Sequence, residues 1–179
     1  MIWYRSRMTA LLLRLGVLLA GPVLASCHFS FSAGGPDYAK LERAITDKLN
    51  ESYKPIAQTV STVDCPRNST AKAGDTIVCT ADLDGNKVRV QAKFTDDNGN
   101  VDFSTLDTVY DLQITAKGLS KDISSDRGFT VTVKCGEGLK VVEIGQSFEC
   151  QAFDPRGVSR TVRVTAGGVG QGDQWRILE

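Results

Sequence analysis

The residue types able to do chemistry in this 179-residue chain are five cysteines, one histidine and two short runs of Asp, Asn and Gly. Cys65, Cys79, Cys135 and Cys150 form two similarly spaced pairs, in VDCPRNSTAKAGDTIVC (Val63–Cys79) and VKCGEGLKVVEIGQSFEC (Val133–Cys150). Each pair is too widely spaced for a Cys-x-x-Cys redox site, and no His/Cys set offers zinc its ligands. Disulfide formation is the chemistry that remains, and small exported domains use it because a short chain buries too little apolar surface. Four cysteines allow three connectivities. Cys65–Cys79 with Cys135–Cys150 is the pairing that treats both stretches alike. Each bond closes a loop of about 15 residues, for which the chain-entropy model gives roughly 3 kcal/mol.

The remaining chemistry is thinner. His28 is the one histidine, and a nucleophile pair needs its base held in place by a third group. A residue on a Ser/Gly tether offers no such support, and no catalytic residues are assigned. Asp82–Asn86 and Asp96–Asn100 resemble the opening of a calcium loop. The bidentate Glu expected six residues after the glycine is replaced by Gln91 and Thr105, so both read as hairpin turns. Gly167–Gly172 is not a G-x-G-x-x-G loop joining a strand to a helix, and no nucleotide site follows. No metal or cofactor is expected. Lys87, Arg89 and Lys93 form a basic row on one strand's outer face, with Arg160 and Arg163 as a thinner counterpart. They are the candidate contacts for an anionic envelope polymer or lipid headgroup.

The chain must place these residues, and it begins with a segment of a different kind. Met1–Ser26 carries Arg5, Arg7 and Arg14, then LGVLLAGPVLA, then small residues before Cys27. That layout is a secretory signal, with Met8 as an alternative start. The apolar run of 11 residues is shorter than the ~20 needed to span a bilayer. Leu24-Ala25-Ser26-Cys27 resembles the lipobox of bacterial lipoproteins. The resemblance implies diacylglycerol on Cys27, cleavage before it, and acyl chains in a membrane, where two or more hold a protein stably. His28–Pro36 is then a tether spanning about 15–18 Å. Without the three leader arginines, 18 of the 21 basic residues face 21 acidic ones, a net charge of −3. Nucleic acid, which demands a basic stripe, is excluded as a partner.

Apolar content of 41% and charged content of 23% are those of an ordinary globular protein. Tyr38, Leu41, Ala44, Ile45 and Leu49 recur at helical spacing over Asp37–Tyr53. Thr76–Leu83 and Asn86–Thr95 alternate, placing Ile77, Cys79, Ala81 and Leu83, then Val88, Val90, Ala92 and Phe94, on one face. Asp84-Gly85 and Asn98-Gly99 are the preferred two-residue hairpin turns. Val101–Phe103 closes the set. The order then repeats: a helix over Thr108–Ser124 on Leu112, Ala116, Leu119 and Ile123; Phe129, Val131, Val133 and Cys135 facing inward; then Phe148–Ala152, Val162–Ala166 and Trp175–Ile177. The expected fold is α+β: two tandem small domains, 37–107 and 108–179, each one helix on a four-stranded antiparallel meander with one disulfide. No flexible linker divides them, so the two are expected to touch.

Helix, Val-x-Cys-Pro, Gly-Asp-Thr-x-x-Cys, Asp-Gly-Asn and an alternating valine strand together resemble the domain of unknown function 4333 of actinobacterial envelope lipoproteins. The resemblance covers Asp37–Phe103 and is weaker afterwards, where Gly136 replaces the proline and Pro155-Arg156-Gly157 lengthens a turn. It implies an extracytoplasmic location and brings no activity. The expected protein is a lipid-anchored, non-enzymatic interaction or scaffold module of the envelope, its partner a protein or polymer. The outer sheet faces and the groove between the copies are its candidate surfaces. A carrier sheltering an apolar ligand between helix and sheet is the alternative, given small core residues such as Ala44, Ala81, Ala92, Ala116 and Ala152.

Overall fold

The computed structural model describes residues 37–67, 71–98, 100–168 and 172–178. The expected leader, Cys27, His28 and the tether lie outside these residues, as do Gly99 and residues 169–171 of the glycine-rich run. Helix α1 (Tyr38–Tyr53) starts where Asp37 accepts the Lys40 N–H at 3.1 Å, satisfying one of the donors a helix start leaves open. Its apolar stripe, Leu41, Ala44, Ile45, Leu49 and Tyr53, is buried along its whole length. A 3-10 turn at Lys54–Ile56, with Pro55 inside it, ends the helix. Strands β1 (Thr62–Asp64), β2 (Thr76–Leu83), β3 (Asn86–Phe94) and β4 (Val101–Thr105) follow as an antiparallel sheet in that order. Between β2 and β3, Asp84 and Gly85 take φ of 51° and 79°, the two positive values a type I′ hairpin requires. The α1 stripe and the inner face of this sheet form one contiguous core.

After β4 come β5 (Asp107–Asp111), α2 (Leu112–Arg127), β6 (Thr132–Lys134), β7 (Leu139–Glu143), β8 (Ser147–Phe153), β9 (Ser159–Thr165) and β10 (Gln174–Ile177). A second four-stranded antiparallel sheet runs β10-β9-β8-β6, and β5 pairs with β7 in a separate two-stranded ribbon. Leu112, Leu119 and Ile123 of α2 share a second core with Val133, Phe148, Ala152, Val162 and Val164. The described residues are thus α+β, with two α-helices, three antiparallel sheets and two disulfides.

Three expectations change. Thr108–Asp111, read as the start of a helix, is strand β5, and the division at 107/108 falls inside it. Thr, Val and Tyr side chains suit a pleated ribbon, and the helix begins only where the Asp111 carboxylate accepts the Gln113 and Ile114 N–H groups, each at 2.9 Å. Leu139–Glu143, which the expected four-stranded meander left between its strands, is strand β7 because β5 supplies it with a partner. Phe129, expected inside, is 47% exposed. It follows the left-handed Gly128 that stops α2 and precedes β6, so the strand alternation does not reach it.

Register explains both sulfur bridges. β1 pairs with β2 so that Asp64 faces Thr80, and one further step puts Cys65 opposite Cys79. β6 pairs with β8 so that Lys134 faces Gln151, and one further step puts Cys135 opposite Cys150. The Cα atoms of the bonded pairs are 4.2 and 4.3 Å apart, near the ~4.5 Å of a non-hydrogen-bonded antiparallel pair. Each bridge joins the short first strand of a sheet to its long neighbour, where few ladder bonds do so. Replacing Cys135 and Cys150 together by alanine is expected to lower unfolding stability by roughly 2–4 kcal/mol. Urea titration of the oxidised protein measures it, and an unmoved midpoint contradicts this role.

Candidate functional site

Arg89 lies on the outer face of β3, as the alternation requires, but its side chain is committed within the molecule. The strand leaving β4 bends at Leu106, whose N–H still donates to the Arg89 carbonyl at 2.9 Å. The Leu106 carbonyl instead accepts from Ile144 N–H at 3.0 Å. The Arg89 N–H therefore needs a new acceptor, and the Asp107 carboxylate supplies it at 2.8 Å. The Arg89 guanidinium closes on the same carboxylate, Nη2 to Oδ1 at 2.6 Å and Nε to Oδ2 at 3.0 Å, and reaches Glu143 at 3.3 Å. Asp107 is the one charged residue buried among the described residues, at 5% exposure. Burial pushes its carboxyl up, but the hydrogen bonds from Arg89 outweigh that and hold it below the usual carboxylate range. Arg89 is correspondingly held protonated, chiefly by its hydrogen bonds to Asp107. Tyr53, at the end of α1, is pushed up to about 12 by burial and then by the Asp107 charge.

The ribbon carries this junction between the two cores. Val109 and Val141, opposite each other, pack against the first core, as does Leu139. Tyr110 and Val142, on the other face, belong to the second. Tyr110 also packs its ring 4.8 Å from Phe148 and donates its hydroxyl to Asp173 at 2.8 Å. The space between the sheets, expected as a binding groove, is where the ribbon sits.

Two of the three cations in the basic row have carboxylate partners within the molecule. Lys87 pairs with Asp82 at 2.5 Å, and Arg89 with Asp107. Lys93 is exposed and stands in register opposite Asp102. On the second sheet Arg163 pairs across the strands with Glu149 at 2.7 Å. The two acidic runs serve their own turns. Asp82 accepts the Gly85 N–H at 3.0 Å, and Asp96 accepts those of Asn98 and Asn100 at 2.9 and 3.1 Å.

Arg160 differs from the rest. In the β8–β9 register it faces Ala152, so it stands on the core side of β9 with Val162 and Val164 and not beside Arg163. It lines a concavity of about 360 Å³ at the open end of the second core. Ile123, Val131, Ala152 and Ile177 form its apolar floor. Phe129 and Val158 form walls, two of the four large hydrophobics exposed among the described residues. Arg127, Arg156 and Arg160 stand at the rim. Arg127 is held by Asp126 at 3.3 Å and Arg156 by Asp154 at 3.0 Å, whereas among the described residues the Arg160 side chain donates only to the neighbouring Ser159 carbonyl, at 3.0 Å. The sequence placed Phe129 in a core and gave Val158 no role. Their signal is an apolar residue set among arginines and glycines in turns, Arg127-Gly128-Phe129 and Arg156-Gly157-Val158-Ser159-Arg160.

Residues 22–99 match the family model described as Domain of unknown function (DUF4333). The match takes in α1 through β3 and stops short of β4, the ribbon and the second sheet. No curated protein and no solved structure matches the chain. Among the described residues no helix is long and apolar enough to cross a membrane.

Replacing Asp107 by alanine leaves the Arg89 N–H and guanidinium without their acceptor. The expected loss is roughly 2–4 kcal/mol, below that of a fully buried pair because Arg89 is partly exposed. Because the folded-state value of Asp107 is depressed, its contribution is complete above the unfolded value of about 4 and fades as pH falls through the folded one. Asp107→Asn should therefore flatten the acid side of the stability profile. Denaturant midpoints between pH 7 and pH 2 test both, and parallel profiles for wild type and variant refute the assignment.

Proposed function

We propose that this is an exported protein, anchored through acyl chains on Cys27, that acts by binding as an interaction or scaffold module in the cell envelope. The observation that carries the location is the pair of disulfides, since such bonds persist in oxidising compartments and are rare in the cytosol. The leader and the lipobox-like Leu24–Cys27 agree with it. We further read residues 37–106 and 107–179 as two copies of one helix-on-meander unit. Both have strand order first-to-fourth around a Cys-to-Cys bridge at the same register point. In both, helix side chains accept N–H groups from the segment that becomes the first strand: Asn50 from Val60 at 2.7 Å, and Ser120 from Val133 at 2.8 Å. The envelope lipoproteins that the sequence resembles place such units outside the membrane. The ribbon and the Arg89–Asp107 pair make the two a single presenting body, which suits a scaffold.

A second reading, a carrier or binder of a lipid or other apolar ligand, is favoured by the concavity at the end of the second core. Its floor is apolar and its walls expose large side chains that a monomer gains nothing by exposing.

The anchoring reading is tested by expressing Cys27→Ser beside the wild type and separating membrane from soluble fractions. Wild type is expected with the membranes and in the detergent phase, the variant in the soluble fraction, with Cys65, Cys79, Cys135 and Cys150 resisting alkylation until reduced. Retention of the variant with the membranes, or free alkylation of the four thiols before reduction, contradicts it.

A further inference from the structure

We propose that the concavity at the end of the second core binds a single acyl chain bearing an anionic headgroup, of the fatty-acid class, with the headgroup on Arg160. This deepens the carrier reading above and is independent of the anchor on Cys27.

The two cores end differently. In the first, the inner-face residue two beyond the second cysteine is Ala81, and across the ladder from it stands Val88, fully buried. In the second, the same position is Ala152, and across the ladder stands Arg160. A buried apolar side chain fills this position in one core, and an exposed arginine occupies it in the other. Arg160 is exposed there, where a long side chain can lie along apolar surface and keep its charge in water. Among the described residues Arg160 has no carboxylate partner, although every other arginine at this rim does.

The occupant follows from what the walls offer. A bound peptide would be held by open backbone groups along a strand edge. Here five N–H groups of the lining are already used, although β10, which contributes Ile177, is an edge strand. Val131 donates to Ser124 Oγ at 2.8 Å, Asp154 to the Val158 carbonyl at 3.0 Å, and Leu178 to the Thr161 carbonyl at 2.8 Å. Arg156 and Val158 both donate to Asp154 Oδ1 at 2.9 Å. A glycan would find the same shortage of free partners over an apolar floor. An acyl chain needs none and gains from each methylene buried. At about 360 Å³ the space lies at the small end of the ~300–1,000 Å³ range of ligand sites, fitting one chain better than two. Arginine, always charged and forked, is suited to a carboxylate head.

The test uses the full chain carrying Cys27→Ser, so that its own acyl chains are absent, and the fluorescent probe 11-(dansylamino)undecanoic acid. Saturable fluorescence enhancement, displaced by palmitate, is the expected result. Hexadecanol, with the chain but no charge, should compete at least tenfold more weakly. Arg160→Val, which copies the buried valine of the first core, and Val158→Asp should each weaken the probe tenfold or more, while their four body cysteines stay protected from alkylation. No saturable binding, or binding that neither substitution weakens, overturns the proposal. Binding to phosphatidylglycerol vesicles without binding of the monomeric probe also overturns it, and assigns Phe129, Val158 and Arg160 to a bilayer surface instead. Any of these failures leaves the Cys27 fractionation result standing.

Discussion

Where β4 ends, the chain must leave one sheet and serve another without stranding a backbone donor. Leu106 keeps its N–H on Arg89 but turns its carbonyl to Ile144, and the Arg89 N–H is then left facing the Asp107 side chain. That carboxylate closes the ladder, and the Arg89 guanidinium makes its burial tolerable by supplying charge and further hydrogen bonds. The bend it stabilises sends β5 onto β7, whose pairing gives a ribbon with two apolar faces. Val109 and Val141 look to one core, Tyr110 and Val142 to the other. The coupling of the two halves therefore rests on a charged group and a strand alternation acting at the same place.

Small cores need reinforcement, and this chain reinforces them in two ways. Disulfides tie the short edge strand that begins each sheet to its one neighbour, at points where the register already brings the Cα atoms within reach. The shared ribbon adds apolar surface to both cores, so neither has to be closed by its own helix and sheet alone. A bridge restricts the unfolded chain, whereas the ribbon stabilises the folded one, and the two effects act on different sides of the equilibrium.

The charges on the sheet faces are largely matched across strands: Lys87 with Asp82, Arg163 with Glu149, Arg89 with Asp107. Such pairs contribute little individually when exposed, and they lower the net positive charge of the outer faces. What stands out against that background is a cation on the inward side of a strand, over a concave apolar floor. The carrier reading and the proposed headgroup contact both grow from that contrast.

Local pattern was enough for much of the architecture. The α1 stripe, the inward Val88, Val90, Ala92 and Phe94 and the Asp84-Gly85 turn follow from periodicities of 3.6 and 2 and from turn chemistry, and the pairing of the cysteines from the likeness of the two stretches that hold them. These properties lie within a few residues of one another, and a linear reading sees them. The roles of Arg89, Phe129, Leu139–Glu143 and Arg160 were decided by tertiary structure. Arg89 and Lys93 look alike along β3, and only the bend at Leu106 brings a buried carboxylate to one of them. Thr108–Asp111 carries residues that suit either a helix start or a strand, and β7, some thirty residues on, decides between them. Arg160 shares its parity with Val162 and Val164, but that it opens the end of a core depends on Ala152 across the ladder and Ile177 beyond it. Long-range pairing chooses which of several locally acceptable environments a side chain receives, and that choice separates a solvated charge from a latch or a binding rim.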